Sequence, residues 1–204
     1  MKRLLHIIAT PREDQSRTLE ISQVFLDAFI KHHPDWVIDQ LNLSKEELPN
    51  LSQKNVSGKY MLLDGKDLFG SLKETWAEIV QHIERFKTAD RFLISTPMWN
   101  FSIPYMLKQY IDLIVQPRYL FHYVDDQPEG LIKGKKMLVI TSRGGQYGNA
   151  QALDNQEPYL RTIFGFVGIT DITFVKADGM DMGEEIRNEA LSTAKKQAQV
   201  LTNA

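Results

Sequence analysis

The sequence predicts a doubly wound α/β fold, and two observations support this. Short apolar runs typical of buried strands alternate five times with longer runs whose apolar residues recur at helical spacing. This alternation indicates a parallel sheet with helices on both faces, because parallel strands need helix-sized crossovers. The 204 residues contain no internal repeat and no low-complexity segment, so we expect a single domain over residues 1–204.

Composition excludes several classes of protein. The formal net charge of -2 creates no large positive field, so we expect no nucleic-acid partner. The absence of cysteine excludes disulfides, thiol catalysis and thiolate metal sites. An apolar run at 4–9 follows two basic residues, but His6 interrupts it, and a buried strand explains it better than a signal peptide. No apolar run could span a bilayer, so we expect a cytoplasmic protein without a membrane segment or a metal site.

The first half of the chain predicts two strands and two helices. The run at 4–9 is apolar enough for a strand buried on both faces, and 36–41 alternates as a second strand. Between them a helix begins near Ser16 and ends before Pro34. Its apolar residues recur at helical spacing: Ile21, Val24, Phe25 and Ala28.

Residues 42–65 show weak periodicity and many polar residues. We predict an extended loop there, with one short helix at 45–48. Such a long connection is often functional or faces a partner. A long helix follows, because the apolar positions from Leu72 to Phe86 recur every three or four residues.

The second half continues the alternation. Apolar runs predict the third, fourth and fifth strands at 92–95, 136–141 and 172–175. Helices are predicted at 106–115, 159–167 and 186–201. Pro104 fits the first turn of the first of these helices. An aromatic stretch at 119–123 leads into a polar turn at 125–134.

Three unusual loops follow strands 1, 3 and 4. In a doubly wound sheet with the spatial order 2-1-3-4-5, these strands are neighbours, and the ligand sits at the switch point between strands 1 and 3. The carboxyl ends of parallel strands meet at one edge of the sheet. We therefore expect the three loops to form one ligand site.

The loop after strand 1 places Ser16, Arg17 and Thr18 at a helix N-terminus. Free N–H groups, the positive helix end, two hydroxyls and a guanidinium would together attract a phosphate. An ordinary Ser N-cap beside an exposed Arg explains the same residues. Neither Gly-x-Gly-x-x-Gly nor a P-loop motif occurs, so dinucleotide and P-loop sites gain no support.

The loop after strand 3 is Thr-Pro-Met-Trp-Asn-Phe-Ser-Ile-Pro. Trp99 and Phe101 would stack on a planar ring or contact its edge. Asn100 offers both a hydrogen-bond donor and acceptors. The alternative is that both aromatic rings belong to the core.

The loop after strand 4 contains Ser142, Arg143, Gly144 and Gly145. Glycine has no Cβ, so backbone N–H groups there would approach a ligand closely. An ordinary flexible turn is the alternative.

Candidates for catalysis by side chains are missing. There is no Gly-x-Ser-x-Gly elbow, and no paired carboxylates flank the expected site. A pocket of this kind suggests that a cofactor carries the chemistry, so we expect no catalytic side chain. Phe121 and Tyr123 would wall the substrate pocket, or instead pack beneath the turn that follows them.

Several motifs together resemble one family. Pro-Met-Trp-Asn-Phe at 97–101 is followed by Pro104, Leu-Lys at 107–108 and Tyr-Ile-Asp at 110–112. The pattern continues with Phe-His-Tyr at 121–123, Pro-Glu-Gly-Leu at 128–131, Thr-Ser-Arg-Gly-Gly at 141–145, Pro-Tyr-Leu at 158–160 and Phe-Gly-Phe-Val-Gly-Ile at 164–169. This combination resembles the FMN-dependent NADH-azoreductases. These are flavodoxin-like homodimeric enzymes that are also described as NADH:quinone oxidoreductases.

The resemblance implies a flavodoxin-like three-layer sandwich and one FMN per subunit. By position, Ser16, Arg17 and Thr18 would hold the FMN phosphate, with Thr10 beside it. The isoalloxazine ring would contact Met98, Trp99, Asn100 and Phe101 on one side and Ser142, Arg143, Gly144 and Gly145 at its opposite edge. Trp99 stands where the family commonly has Tyr.

The resemblance also implies a homodimer whose partner subunit completes the site, with Phe121 and Tyr123 over the flavin. NADH would be the electron donor in a ping-pong reaction, and quinones or aromatic azo compounds would be the acceptors. Two alternatives keep the same fold. One is an electron carrier with FMN but no substrate of its own, and the other is a flavin-free binding module.

Overall fold

A central sheet of five parallel strands organises the protein in the computed structural model, which describes residues 1–148 and 151–202. The strands in this part of the chain are β1 (Lys2–Ile8), β2 (Trp36–Asn42), β3 (Arg91–Ser95), β4 (Phe121–Val124), β5 (Gln127–Gly130), β6 (Lys136–Ser142) and β7 (Asp171–Ala177). The sheet order is β2-β1-β3-β6-β7, and every neighbouring pair is parallel. β4 and β5 form a separate two-stranded sheet, so β6 and β7 are the predicted fourth and fifth strands. The predicted order 2-1-3-4-5 is therefore confirmed.

Helices cover both faces of the sheet. They are α1 (Arg17–His32), α2 (Gln53–Leu63), α3 (Gly70–Lys87), α4 (Tyr105–Ile114), α5 (Gln156–Phe166) and α6 (Glu184–Val200). Successive strand residues point to opposite faces. Leu4 therefore packs in the core under α1 and α6, whereas Leu5 packs in the core under the other helices. Within the described residues, no helix is both long enough and apolar enough to cross a membrane.

The prediction for residues 42–65 was wrong. Turns and irregular backbone occupy 45–48, and α2 forms further along the connection. Gly58 and its polar neighbours hide this helix in the sequence. The structure gives the reason for the glycine, since a Cβ at Gly58 would lie 2.4 Å from Nε1 of Trp76. The same indole nitrogen donates a hydrogen bond to the Asn55 carbonyl at 3.1 Å, so α2 and α3 pack at unusually close range.

The aromatic stretch and polar turn after α4 form a hairpin that the sequence did not predict. β4 and β5 pair in antiparallel fashion through a two-residue turn, Asp125 and Asp126. Both turn residues have positive φ, 48° and 61°, which is the conformation that two-residue hairpin turns require. Pro104 also differs slightly from the prediction, because it caps α4 and the first helical residue is Tyr105.

A chain of buried side-chain hydrogen bonds links His6 of β1 and Ser95 of β3 to α1 on one face of the sheet. The Ser22 hydroxyl donates to the Thr18 carbonyl at 2.9 Å, so the Ser95 hydroxyl, 2.6 Å away, donates to Ser22. His6 Nε2, 2.7 Å from the Ser95 oxygen, must then carry the proton. His6 Nδ1 is left as a buried acceptor without a partner among the described residues. The network therefore selects the neutral tautomer that carries its proton on Nε2.

Burial of His6 makes the protein's stability depend on pH. Desolvation lowers the pKa of His6 from 6.5 to about 3. Below pH 6.5 His6 is protonated in the unfolded chain but stays neutral in the folded chain. The free energy of unfolding therefore has its full value above pH 6.5 and falls as the pH decreases towards 3. For one site the loss is at most about 1.4 kcal/mol per pH unit. Urea unfolding should show that, between pH 7.5 and 5.0, the free energy of unfolding falls by about 2 kcal/mol more in the wild-type protein than in His6→Gln. Parallel losses in the two proteins would contradict this assignment.

Candidate cofactor site

The loops after β1, β3 and β6 begin side by side at one edge of the sheet. Ile8 pairs with Ser95, and Ser95 pairs with Ile140, so the three strands end at nearly the same level. Hydrogen bonds continue past the strand ends, from the Ala9 N–H to the Ser95 carbonyl at 2.9 Å and from the Met98 N–H to the Ser142 carbonyl at 3.0 Å. The predicted convergence of the three loops is therefore present in the structure.

A cavity of about 170 Å³ lies where these loops meet. Nine residues expected at a cofactor site line it: Thr10, Ser16, Arg17, Thr18, Met98, Trp99, Ser142, Arg143 and Gly144. Three expected residues, Asn100, Phe101 and Gly145, do not line this cavity. A larger concavity of about 1030 Å³ lies beside α2 and α3, but no loop at the carboxyl end of a central strand contributes to it.

The floor of the cavity is the N-terminus of α1. Ser16 is the N-cap, and its hydroxyl accepts from the Leu19 N–H at 3.3 Å and from the Thr10 hydroxyl at 3.2 Å. The N–H groups of Arg17 and Thr18 belong to the first turn, where the helix offers no acceptor. The Thr18 and Ser142 hydroxyls lie 2.7 Å apart and join the helix to the β6 loop. Ser16 thus acts as an N-cap, and the cap sits beside a space that an anion would fill.

The Arg17 side chain bridges the cavity to the loop after β7. Its Nη1 donates to the Met180 carbonyl at 2.9 Å and lies 3.3 Å from Oδ1 of Asp181. The Arg17 side chain is three-quarters buried, whereas the Asp181 side chain is largely exposed. Arg17 is therefore held at the rim of the cavity instead of pointing freely into solvent.

The loop after β3 presents its aromatic rings on a tight turn. The N–H and carbonyl groups of Trp99 and Ser102 bond each other, both at 2.9 Å. Asn100 and Phe101 between them have φ of 47° and 67°. A phenylalanine in this left-handed region is strained, and such strain gathers at functional sites. Trp99 and Phe101 are 36% and 47% exposed, so they are not core residues and are available to a ligand.

Asn100 lies on the outer side of this turn. It lines an adjoining concavity of about 410 Å³ together with Ile103, Tyr105 and Tyr159. That concavity is open, mostly apolar, and shares Trp99 with the first cavity. The two spaces together extend from the helix N-terminus across the face of the aromatic turn.

Arg143 lies at the base of the glycine loop in a buried cluster of charges. Its side chain is 1% exposed, and its Nη1 lies 2.9 Å from Asp154, while its Nε lies 3.7 Å from Asp178. Nε and Nη2 have no hydrogen-bond partner among the described residues. This arrangement fixes the loop to its neighbours and leaves donor capacity beside the cavity.

The two glycines that follow are held by the loop after β7. The Gly144 carbonyl accepts from the Asp181 N–H at 3.0 Å, and the Gly145 carbonyl accepts from the Gly179 N–H at 2.9 Å. A Cβ on Gly144 would lie 2.7 Å from Oδ2 of Asp181. The glycine loop is thus an ordered edge of the site, not a free turn.

Phe121 and Tyr123 lie outside the cavity in the single subunit. Phe121 is 6% exposed and packs on Phe166 with ring centroids 4.6 Å apart. Tyr123 is 55% exposed on the hairpin. Within one subunit Phe121 packs beneath the hairpin. A role for Phe121 and Tyr123 over the cofactor remains a prediction that requires a dimer.

Sequence reasoning missed several residues of the site. Met180 and Asp181 line the cavity from the loop after β7, and Arg12 and Pro97 complete it. The loop after β7 follows a strand adjacent to β6 and contains two glycines, so the strand-end rule could have identified it. Asp154 and Gln156 lie outside the cavity but contact its loops, at Arg143 and at the Pro97 carbonyl, and no motif pointed to them.

These residues fit FMN. The helix N-terminus, three buried hydroxyls and Arg17 suit a phosphate. At about 170 Å³ the cavity is smaller than the roughly 300–1,000 Å³ of pockets that enclose a whole ligand. It therefore suits one end of the molecule and leaves a flat ring system over the exposed turn with Trp99 and Phe101. Nε and Nη2 of Arg143 are buried without a partner among the described residues, so they could donate to an electron-rich ring edge.

Comparisons with known proteins identify the family. A family profile described as flavodoxin-like fold matches residues 2–201. An FMN-dependent NADH:quinone oxidoreductase of Nitratidesulfovibrio vulgaris (strain DP4) is 36% identical, over 97% of this chain and 99% of its own length. The crystal structure of an azoreductase from Bacillus anthracis str. Sterne has a TM-score of 0.90 at 28% identity, covering 100% of this chain and 99% of that one.

A structure with a bound cofactor is also similar. It is a FMN-dependent NADH-azoreductase from Bacillus anthracis str. Ames Ancestor in complex with FMN, with a TM-score of 0.86 and 29% identity over the whole of both chains. The sequence match to the quinone oxidoreductases spans nearly the full length of both proteins. This chain therefore belongs to the family of FMN-dependent NADH:quinone oxidoreductases with a flavodoxin-like fold.

Proposed function

We propose that this enzyme uses NADH to reduce quinones and aromatic azo compounds, with FMN held where the loops after β1, β3 and β6 meet. The observation that carries the proposal is the junction of a helix N-terminus, an ordered glycine loop and an exposed aromatic turn around one cavity. When bound, FMN supplies the two-electron chemistry that the side chains of this site lack.

The residues of the site divide the work of holding the cofactor. Ser16, Thr18 and the first-turn N–H groups of α1 bind the phosphate, with Arg17 adding a positive charge at the rim and Thr10 supporting Ser16. Met98 to Phe101 form the platform for the ring. Ser142 to Gly145 lie along its opposite edge, where N–H groups stabilise negative charge. Trp99 contributes an aromatic face but no hydroxyl.

The same residues organise the substrates. The exposed rings of Trp99 and Phe101 and the apolar concavity beside Asn100 suit flat aromatic molecules such as nicotinamide, quinones and azo compounds. Donor and acceptor occupy the same space in turn, so orientation against the ring is the main contribution of the protein. A quinone consumes one NADH, and complete cleavage of an azo bond to two amines consumes two.

We also propose a homodimer in the cytoplasm. Exposed apolar side chains of α2, including Val56 and Tyr60, line a concavity of about 310 Å³ with Val115 and Ile163. Tyr123 and Val124 are exposed on the hairpin as well. A second copy that covers these surfaces would bring an aromatic wall to the site, which is open on one side in the single subunit. The electron donor NADH is an intracellular metabolite, which supports the location. Sedimentation should give twice the mass of the chain.

The first test is the visible absorbance of purified protein, followed by NADH under anaerobic conditions. We expect flavin bands that bleach within seconds and return when a quinone is added. Flavin bands that persist in NADH would favour an electron carrier without a substrate of its own. The absence of flavin bands after reconstitution with FMN would favour a flavin-free module and reject the proposal.

A further inference from the structure

We infer that Gln156 is a positioning residue whose buried amide sets the spacing between the two loops that cradle the flavin ring. The inference rests on the proposed FMN site and names a residue that touches neither cofactor nor substrate. Gln156 is the first residue of α5, and it is 0% exposed. A long polar side chain is rarely fully buried without a specific set of partners.

The Gln156 amide bonds both loops at once. Its Nε2 donates to the Pro97 carbonyl at 2.9 Å, and its Oε1 accepts from the Thr141 hydroxyl at 2.8 Å. Pro97 lies directly before the residues of the aromatic turn, and Thr141, also 0% exposed, lies directly before the glycine loop. The amide therefore spans the gap between the two halves of the ring platform.

Neighbouring residues reinforce this connection. Asp154 holds Arg143 of the glycine loop at 2.9 Å, and the Asn155 N–H donates to the Phe101 carbonyl at 2.9 Å. Three successive residues, 154–156, thus contact both loops. The residues of a binding site must be held within fractions of an ångström of their productive positions. A rigid connection between the two loops through residues 154–156 therefore determines how well the site fits its ligand.

Glutamine is the side chain that these two hydrogen bonds require. It carries a donor and an acceptor at the end of one flexible stem, and the two partners need one of each. Methionine has a similar length but would leave the buried Thr141 hydroxyl without its acceptor and the Pro97 carbonyl with only the Thr96 hydroxyl, 3.2 Å away. Glutamate would suit the N-terminus of α5 electrostatically, yet its carboxylate has no N–H group for Pro97.

The test is Gln156→Met, compared with wild type by FMN titration of the cofactor-depleted protein. We expect the dissociation constant, measured by quenching of flavin fluorescence, to rise at least tenfold. The visible circular dichroism of bound FMN and its midpoint potential should also change, since the ring sits between loops that are no longer joined. A residue with a purely structural role would not alter these two signals in protein that remains folded.

Gln116→Met is the matched control. Gln116 is also 0% exposed, and its amide donates to the carbonyls of Asp112 and Leu113 at 2.8 and 3.2 Å, beyond the far end of α4. We expect this variant to lose thermal stability without any change in FMN affinity or circular dichroism. If Gln156→Met does not fold, the nearly isosteric Thr141→Val removes one of the two bonds and should weaken FMN binding several-fold.

Two results would overturn the inference while the wild-type protein binds FMN. One is a Gln156→Met protein with wild-type affinity and circular dichroism, and the other is an equal loss of affinity in Gln116→Met. A wild-type protein that binds no FMN would instead reject the proposed function together with the inference. The two failures are therefore distinguishable from the same titrations.

Discussion

Asp154→Asn should lower the free energy of unfolding by about 3 kcal/mol, because it leaves a fully buried guanidinium without its main counter-charge. The Arg143 side chain is 1% exposed, and Asp154, 12% exposed, is 2.9 Å from it. Asn keeps an oxygen in place of Oδ1, which accepts from the N–H groups of Gln156 and Glu157 at 3.0 and 3.1 Å. The substitution therefore removes the charge and retains the two hydrogen bonds to the first N–H groups of α5.

Two control variants should lose less stability than Asp154→Asn. Asp178→Asn should lower the free energy of unfolding by a smaller amount, because Asp178 is 3.7 Å from Arg143 and 27% exposed. Asp67→Asn removes an exposed partner of Arg118 and should cost under about 1 kcal/mol. Thermal unfolding should show Asp154→Asn lowering the midpoint by roughly 6–12 °C for a chain of this size. A loss no greater than that of Asp67→Asn would mean that the Arg143 cluster does not stabilise the fold.

The sheet and the convergence of its three loops were predictable because both depend on local patterns. Continuous apolar runs such as 4–9 indicate strands buried on both faces, and the position of a loop after a strand fixes the edge on which it lies. The unusual residues after strands 1, 3 and 4 therefore came together as expected. The same rule would have brought in Met180 and Asp181, had the loop after the fifth strand been considered.

Features that depend on tertiary contacts were not predictable. Gly58 is typical of a break in a helix, and only the nearby Trp76 ring explains why a glycine stands within α2. The hairpin turn uses Asp125 and Asp126 in a conformation that sequence patterns associate with Asn-Gly or Asp-Gly. Gln156 looks like an ordinary polar residue at a helix start, and only its two long-range bonds reveal why it is buried.

Ser16→Asp should separate the stability of the α1 N-terminus from its ability to bind phosphate. Aspartate is as good an N-cap as serine, and its charge is favourable at a helix N-terminus, so we expect the free energy of unfolding to stay within about 1 kcal/mol of wild type. The same carboxylate would face the FMN phosphate in a partly buried cavity. Like charges about 4 Å apart repel by roughly 4 kcal/mol at a protein surface, so FMN affinity should fall by about 100-fold or more.

Riboflavin and a second N-cap make the result specific. Riboflavin lacks the phosphate, and its affinity should change by less than about threefold, since its ring meets the unaltered loops after β3 and β6. Ser52 caps α2 in the same way, with its hydroxyl accepting from the Asn55 N–H, but it lies outside the cavity. Ser52→Asp should therefore leave both affinities unchanged. Wild-type FMN binding by Ser16→Asp would show that the phosphate lies elsewhere, even if the protein still carries flavin, whereas equal losses for FMN and riboflavin would indicate a distorted loop and not charge repulsion.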